Sequence, residues 1–468
     1  MRKPLILIVP LLALMSACGE DPAPADAPSP TAAAPAATAT VTPVPPTPTP
    51  SVFVPPPLIL PTVAAPTRSP TPVPDEPFAK ALDAAGLKMN AIRQLSLTAG
   101  VDRDFISNTE LRTLFDVEFE KSKADLESQQ RLLVALGLMA PDGPSLYDTM
   151  YGLSTEGILG FFDAEKEKMY VVSERPDLTL ADERTYVHEF VHALQQANFD
   201  TATEMERRKN DSDGQQSLRA LIEGDAVLAE YIYLSQHFDE AKQIASEPQT
   251  TPELEAVIGD APYIVLRQFI FPYVQGLEFA VALYREGQWE AINNAFRNPP
   301  ASSEQVIHPE KYLAGEVPVR VILPDVTWVL GNGWKRDFMD NGGELFLRSY
   351  LENGLDPNLA AVASTGWGGD ALAMYTGPEG KTVVTLPIVW DTERDAQEFF
   401  EAYLDLNELI ANRDWEPVTS NANSRTMVLP SRAISIERNG LMTIVAIAPD
   451  VVLLDTVRQA LAFGLRSE

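Results

Sequence analysis

Cysteine is almost absent from this 468-residue chain: Cys18 is the only one, so no disulfide can form within it. Cations are scarce as well, with 36 Lys and Arg against 66 Asp and Glu and a formal net charge of −30. So acidic a surface argues against nucleic acid and anionic lipid as partners, and it says nothing about catalysis. Histidine occurs four times. No internal repeat is present, and the apolar stretch from Leu5 to Leu14 is too short to span a bilayer as a mature helix. Stability must come from core packing, with a metal as the one remaining staple. The composition, 45% hydrophobic and 22% charged, suits a globular chain of two or three domains.

The first 77 residues read as targeting and tether. Arg2 and Lys3 precede the apolar stretch, and Ser16 and Ala17 precede Cys18, the order of a secretory signal over residues 1–18. The stretch LMSAC resembles a bacterial lipobox, with Met15 in place of the usual leucine. That resemblance implies cleavage before Cys18 and lipidation of Cys18. Plain secretion, with Cys18 discarded in the signal, is the alternative. Residues 19–77 are dominated by Pro, Ala, Thr and Ser. Without apolar periodicity they predict a disordered, extended tether, able to reach on the order of 100 Å at about 3.1 Å per residue. The expected location is extracytoplasmic, with the membrane reached through a lipid anchor.

The rest divides by pattern into residues 78–368 and 369–468. Apolar residues at three- and four-residue spacing predict helices across much of 78–138, near 179–198 and 215–236, over 262–284 and 286–297, and near 342–363. Residues 157–172 predict a hairpin around a polar turn from Asp163 to Lys168. Thr179 and Asp182 have the spacing of a capping box. Val187, Phe190, Val191, Leu194 and Ala197 then share a core face. Residues 298–325 read as a mostly irregular connection. After Gly369, strands near 371–375, 382–390, 426–429, 433–437 and 442–447 alternate with helices near 393–407 and 450–465, a small α+β unit.

One stretch carries chemistry: TYVHEFVHALQQANFD, residues 185–200. On a helix His188 and His192 project side by side, about 40° apart around the axis, and two such imidazoles can ligate one tetrahedral zinc. Glu189 points about 100° away from His188, where its carboxylate can take a proton from zinc-activated water without being a ligand. A third ligand is needed. The next predicted helix offers Glu223, in ALIEGDA, with Gly224 beside it to let that helix approach the first closely. Glu230 is a weaker alternative.

The HEFVH helix followed by a glutamate on a second helix resembles the gluzincin branch of zinc metallopeptidases. More narrowly, GFFD…MYVV, HEFVHALQQANFD, ALIEGDA, FPYVQG and SSEQVIHPEKY resemble a group of largely uncharacterised bacterial metallopeptidase lipoproteins, over about residues 80–370. The resemblance implies a mainly helical zincin-like domain with a small sheet. It implies zinc on His188, His192 and Glu223, with Glu189 as catalytic base. The hairpin strand before the helix would bind substrate backbone by strand addition. A later tyrosine or histidine commonly stabilises the oxyanion in such enzymes, which makes Tyr273 and His308 the candidates. His237, ending its helix, reads as structural. One departure from the pattern stands out. Gluzincins often place an Asp four residues after the ligand glutamate to orient a zinc histidine; here that position is Val227, and Asp225 is on another face.

The function expected is hydrolysis of peptide or protein substrates. The alternative is a lipid-anchored binding or structural protein that keeps the fold without turnover. The 369–468 unit offers no catalytic constellation.

Overall fold

The computed structural model describes residues 7–8, 76–97, 100–156, 160–172, 180–236, 252–410, 416–429, 431–464 and 466–467. Cys18, residues 19–75 of the expected tether, Thr179 and His237 lie outside the described residues, while 76–77, expected as tether, open a helix. The architecture is α+β, and no helix among the described residues is long and apolar enough to cross a membrane.

Two helices open it, α1 (Glu76–Arg93) and α2 (Asn108–Leu136), with a strand between them, β2 (Asp102–Ile106), that the helical spacing hides. Ser107 and Glu110 close a reciprocal capping box at the start of α2. Gly137, at φ 80, ends that helix in the left-handed conformation that a Cβ disfavours. After α3 (Leu146–Thr155) comes the expected hairpin, β3 (Gly160–Asp163) and β4 (Lys168–Val172), paired antiparallel with Phe162 opposite Met169. Its turn is fixed by Asp163, which accepts from the Lys166 amide at 2.9 Å. The strand β2 runs parallel to β4, and Leu7–Ile8 (β1) pairs antiparallel with the outer edge of β3.

The hairpin leads into α4 (Leu180–Phe199). Val187, Phe190, Val191 and Leu194 are buried as their spacing predicts, whereas Ala197, one turn further, is exposed. Next come α5 (Thr201–Arg207), α6 (Ser212–Ser235), α7 (Pro252–Asp260) and α8 (Tyr263–Arg297). The two helices expected over 262–297 are the two parts of α8, which meet at a break at Gly287 and Gln288, whose dihedrals are not helical.

The close helix contact at Gly224 is with α8, not with α4. A Cβ on Gly224 would lie 1.9 Å from the Gly276 carbonyl oxygen, and one on Gly276 would lie 2.3 Å from the Ala220 oxygen. Each helix gives up a side chain so that the backbones can touch.

The connection expected to be irregular forms two short helices, α9 (Ser303–Ile307) and α10 (Pro309–Ala314). Local chemistry accounts for both. Ser302 caps α9 by accepting from the Gln305 amide, and Pro309 sits at the first turn of α10, where it loses no hydrogen bond. Lys311 then ties the segment down, its ammonium 2.7 Å from Glu304, 2.6 Å from Glu316 and 2.6 Å from Asp391.

The last third is built on a sheet in the order β10 (Glu416–Asn421), β11 (Ser424–Leu429), β12 (Arg432–Asn439), β13 (Met442–Ala448), β9 (Thr382–Trp390), β8 (Leu372–Thr376), β6 (Lys335–Asp340), with β7 (Trp367–Asp370) also paired to β9. It draws β6 and the first half of β7 from before Gly369. Between these strands lie β5 (Val321–Ile322), α11 (Thr327–Leu330), α12 (Gly343–Glu352), α13 (Pro357–Ser364), α14 (Glu393–Ile410) and α15 (Val451–Gly464); the end strand β14 (Arg466–Ser467) pairs with β5. Period-two alternation sorts the two faces. Val384, Leu386, Ile388 and Trp390 join Ile434, Ile436, Val445 and Ile447 in one core with α14, and that core continues into α2, α8 and α12. The opposite face carries Ala373, Ala433, Ala446 and Ala448, small enough for α15 to pack Leu454, Val457 and Leu461 close against it.

Candidate metal centre

Four side chains from α4 and α6 meet in the helical part: His188, Glu189, His192 and Glu223, none more than 1% exposed. Helical spacing sets the two imidazoles edge to face, with ring centroids 4.8 Å apart and planes at 84°. Glu223 comes across from α6, held at that distance by the packing of α6 on α4 and α8. Donor atoms of His188, His192 and Glu223 all lie within 4.8 Å of one another.

Two closer distances test whether a metal fits. Glu223 Oε2 is 3.3 Å from His188 Nε2 and 3.5 Å from His192 Nε2. Bonds of about 2.1 Å to a tetrahedral zinc put neighbouring ligand atoms about 3.4 Å apart. The outer nitrogens are already committed: His188 Nδ1 is 3.0 Å from Glu230 Oε2, and His192 Nδ1 is 2.9 Å from Gln195 Oε1. His192 Nε2, on the side of Glu223, and the second carboxylate oxygen of Glu223, Oε1, are buried without any hydrogen-bond partner. Buried polar atoms left unsatisfied are costly, and several aimed at one point fit a cation there. The donor set of two imidazoles and a carboxylate suits zinc.

Burial disfavours a charged His188, but its hydrogen bonds to Glu223 and Glu230 raise its pKa to about 10. Burial also opposes ionisation of Glu223, yet His192 and His188 hold its carboxyl far down, at about 2.

Glu189 sits on the neighbouring face of α4. Its Oε2 accepts from the Phe162 amide of β3 at 2.8 Å, and its Oε1 has no partner. Burial pushes its pKa up to about 7, against the lowering effect of the two histidines. It is thus an acid held near neutrality beside the ligands, fixed by one oxygen and open at the other.

Glu230, the alternative third ligand, is placed elsewhere. It lies behind His188, against Nδ1, and its other oxygen takes Arg184 Nε at 2.5 Å. It stands seven residues after Glu223, two helical turns further along α6. The His308 Nε2 is 3.0 Å from Glu344 Oε1, with Glu310 at 3.7 Å from Nδ1. Tyr273 is buried in the larger core with Val227, Val265 and Leu277. His308 does not belong to the group of converging ligand atoms. A second acidic group, Glu304, Glu316 and Asp391, is the one that Lys311 fills. Arg184, Gln195 and the Phe162 amide were not singled out from sequence, although Gln195 lies three residues after His192 and so on the same side of the helix.

Among known proteins, residues 333–458 match the model of a family described as a domain of unknown function (DUF8575). The match covers every strand of the C-terminal sheet together with α12, α13 and α14, and it begins after Glu223, so it includes none of the candidate ligands. No curated protein and no solved structure matches the chain.

Proposed function

We propose that this chain is a zinc-dependent peptidase acting on peptide or protein substrates outside the cytoplasm. One observation carries the reading: a buried carboxylate with a free oxygen, Glu189, stands beside three converging protein ligands. A site built only to hold a structural metal closes its fourth position with a protein ligand. Here three donors converge among the described residues, and the fourth neighbour is a potential base. That favours turnover over the lipid-anchored, non-catalytic alternative.

In this reading His188, His192 and Glu223 hold zinc. Bound there, zinc supplies Lewis acidity: it acidifies water and polarises a carbonyl. Glu189 Oε1 accepts the proton that the attacking water loses and then returns it to the leaving amine. The Phe162 amide keeps Glu189 in place through Oε2. The strand β3 would carry the substrate backbone; its outer edge accepts an extended antiparallel segment, Leu7–Ile8. Tyr273 and His308 are the proposed oxyanion donors, and His308 would have to exchange Glu344 for substrate. Secretion and lipidation at Cys18 rest on the sequence of residues 1–18.

The test is Glu189→Gln in the full chain. Zinc stoichiometry should be unchanged, because Glu189 is not a ligand. Peptide turnover should fall by about a hundred- to ten-thousand-fold, the usual contribution of a general base. Equal cleavage by wild type and Glu189→Gln would sink the mechanism. Tyr273→Phe and His308→Ala should lose less.

A further inference from the structure

The two zinc-site histidines are held from behind by different chemistry, and the arrangement at His192 reaches far into the fold. Behind it is not a carboxylate but the neutral amide of Gln195. An amide can point either way, so something must set its orientation. Gln195 Nε2 donates to the Ile222 carbonyl at 2.9 Å and to Asp225 Oδ2 at 2.8 Å. Both are acceptors only, which puts the amide oxygen toward His192. That oxygen can only accept, so His192 Nδ1 must carry the proton and Nε2 must present its lone pair to the centre.

Asp225 in turn is held by Arg93, the last residue of α1, whose Nε donates to Oδ1 at 2.7 Å; both side chains are fully buried. Arg93 is positioned by the far end of α8. Its guanidinium lies 4.7 Å over the Trp289 ring, and its Nη2 donates to Asn293 Oδ1 at 2.8 Å. Both residues follow the break at Gly287 and Gln288.

We infer that Gln195 is the residue that fixes His192 in its metal-binding tautomer, and that Arg93 sets Gln195 through Asp225. Gln195, Asp225 and Arg93 are positioning residues, and the inference rests on His192 being a metal ligand. The chain of contacts explains two otherwise isolated facts. A fully buried Asp225–Arg93 pair is costly to desolvate, and it stands next to the site. The break in α8 also turns Trp289 and Asn293 to where Arg93 ends.

The experiment uses the full chain with its histidines selectively 15N-labelled; there are only four to resolve. In metal-free wild type the His192 ring should be the Nδ1–H form. Gln195→Met removes the acceptor while filling similar volume. It should leave His192 as a tautomer mixture and weaken zinc binding about 10- to 100-fold, the usual effect of losing an outer-shell partner. Gln195→Glu, sharing a proton with Asp225, keeps an acceptor on Nδ1 and should restore both. Arg93→Lys keeps the charge but not the planar fork, and should weaken zinc binding less than Gln195→Met does. Thermal unfolding of each metal-free variant separates these effects from loss of fold. Unchanged tautomer and unchanged zinc affinity in a folded Gln195→Met protein would overturn the inference. If wild type binds no zinc, yet His192 keeps the Nδ1–H form that Gln195→Met loses, the positioning stands and the metalloenzyme reading fails.

Discussion

Gly224→Ala adds one methyl group at the place where fold and site meet. The new Cβ would lie 1.9 Å from the Gly276 carbonyl oxygen and 2.1 Å from its carbon. Both are backbone atoms, so no rotamer change relieves the clash. Reaching an ordinary contact of about 3.2 Å requires α6 and α8 to part by roughly 1.3 Å. Overpacking in a core costs about 1–3 kcal/mol, and backbone against backbone belongs at the upper end. The larger effect should be on metal. Glu223 is the next residue, and its Oε2 stands 3.3 and 3.5 Å from the two Nε2 atoms. Metal sites tolerate displacements of about 0.2 Å, so a shift several times larger should weaken zinc more than tenfold. The assay is a chelator-competition titration beside thermal unfolding of the metal-free protein. Gly259→Ala is the control, since nothing lies within 4 Å of its added Cβ. If Gly224→Ala melts lower but binds zinc as wild type does, the link between helix crossing and site is wrong. If it neither melts lower nor binds zinc more weakly, the close crossing itself is wrong.

His188→Ala, His192→Ala and Glu223→Ala should each lose the single zinc equivalent by metal analysis. Glu230→Gln should keep that equivalent with affinity weakened about 10- to 100-fold; complete loss there, with Glu223→Ala still loaded, would exchange their roles. Zinc at a hundred times its dissociation constant should stabilise the protein by about 2.7 kcal/mol, read as a rise in melting temperature. Burial pushes the pKa of Asp370 up to about 6, against the donors Gly342, Gly343 and Trp367. The native state therefore holds this proton longer than the unfolded state, and the Asp370 contribution to stability falls as pH rises from about 4 to 6. Asp370→Asn should flatten that segment of a stability–pH curve measured by denaturant unfolding; an unchanged slope would count against a buried, titrating Asp370.

What the sequence makes legible is what a local rule controls. The hairpin before α4 shows in its turn and flanking apolar runs, and α4 and α6 show in their periodicity. The edges of the C-terminal sheet do not. The strand β6, KRDFMD, is mostly polar and only partly buried, so no alternation marks it; its partner β8 is what makes it a strand. Likewise β2 is a short segment between two strong helices, and it exists through pairing with β4. Glycines are ambiguous in the same way. Gly224 in sequence signals that something approaches closely, and only the packing of α6 shows that this is Gly276.

The candidate ligands are legible because α4 fixes the spacing of the two histidines and Glu223 lies on the next long helix, whereas the groups that hold them belong to no single element. Glu230 is two helical turns beyond Glu223, a spacing that returns a side chain to nearly the same face. Sequence alone leaves it as a rival ligand; the distance to His188 Nδ1 puts it behind the imidazole instead. Asp225 is read from sequence as pointing away, and it does, but Gln195 bridges the gap to His192. Arg93 ends a helix over a hundred residues earlier, and no period relates it to the motif. Orientation here is distributed over α1, α4, α6 and α8. A substitution in α1 or at the end of α8 can therefore change metal binding without touching a ligand. For the same reason, an intact HEFVH segment alone cannot establish a working site in a related chain. The question to ask there is whether Gln195 and Glu230, or groups of equivalent chemistry, still occupy the two Nδ1 atoms.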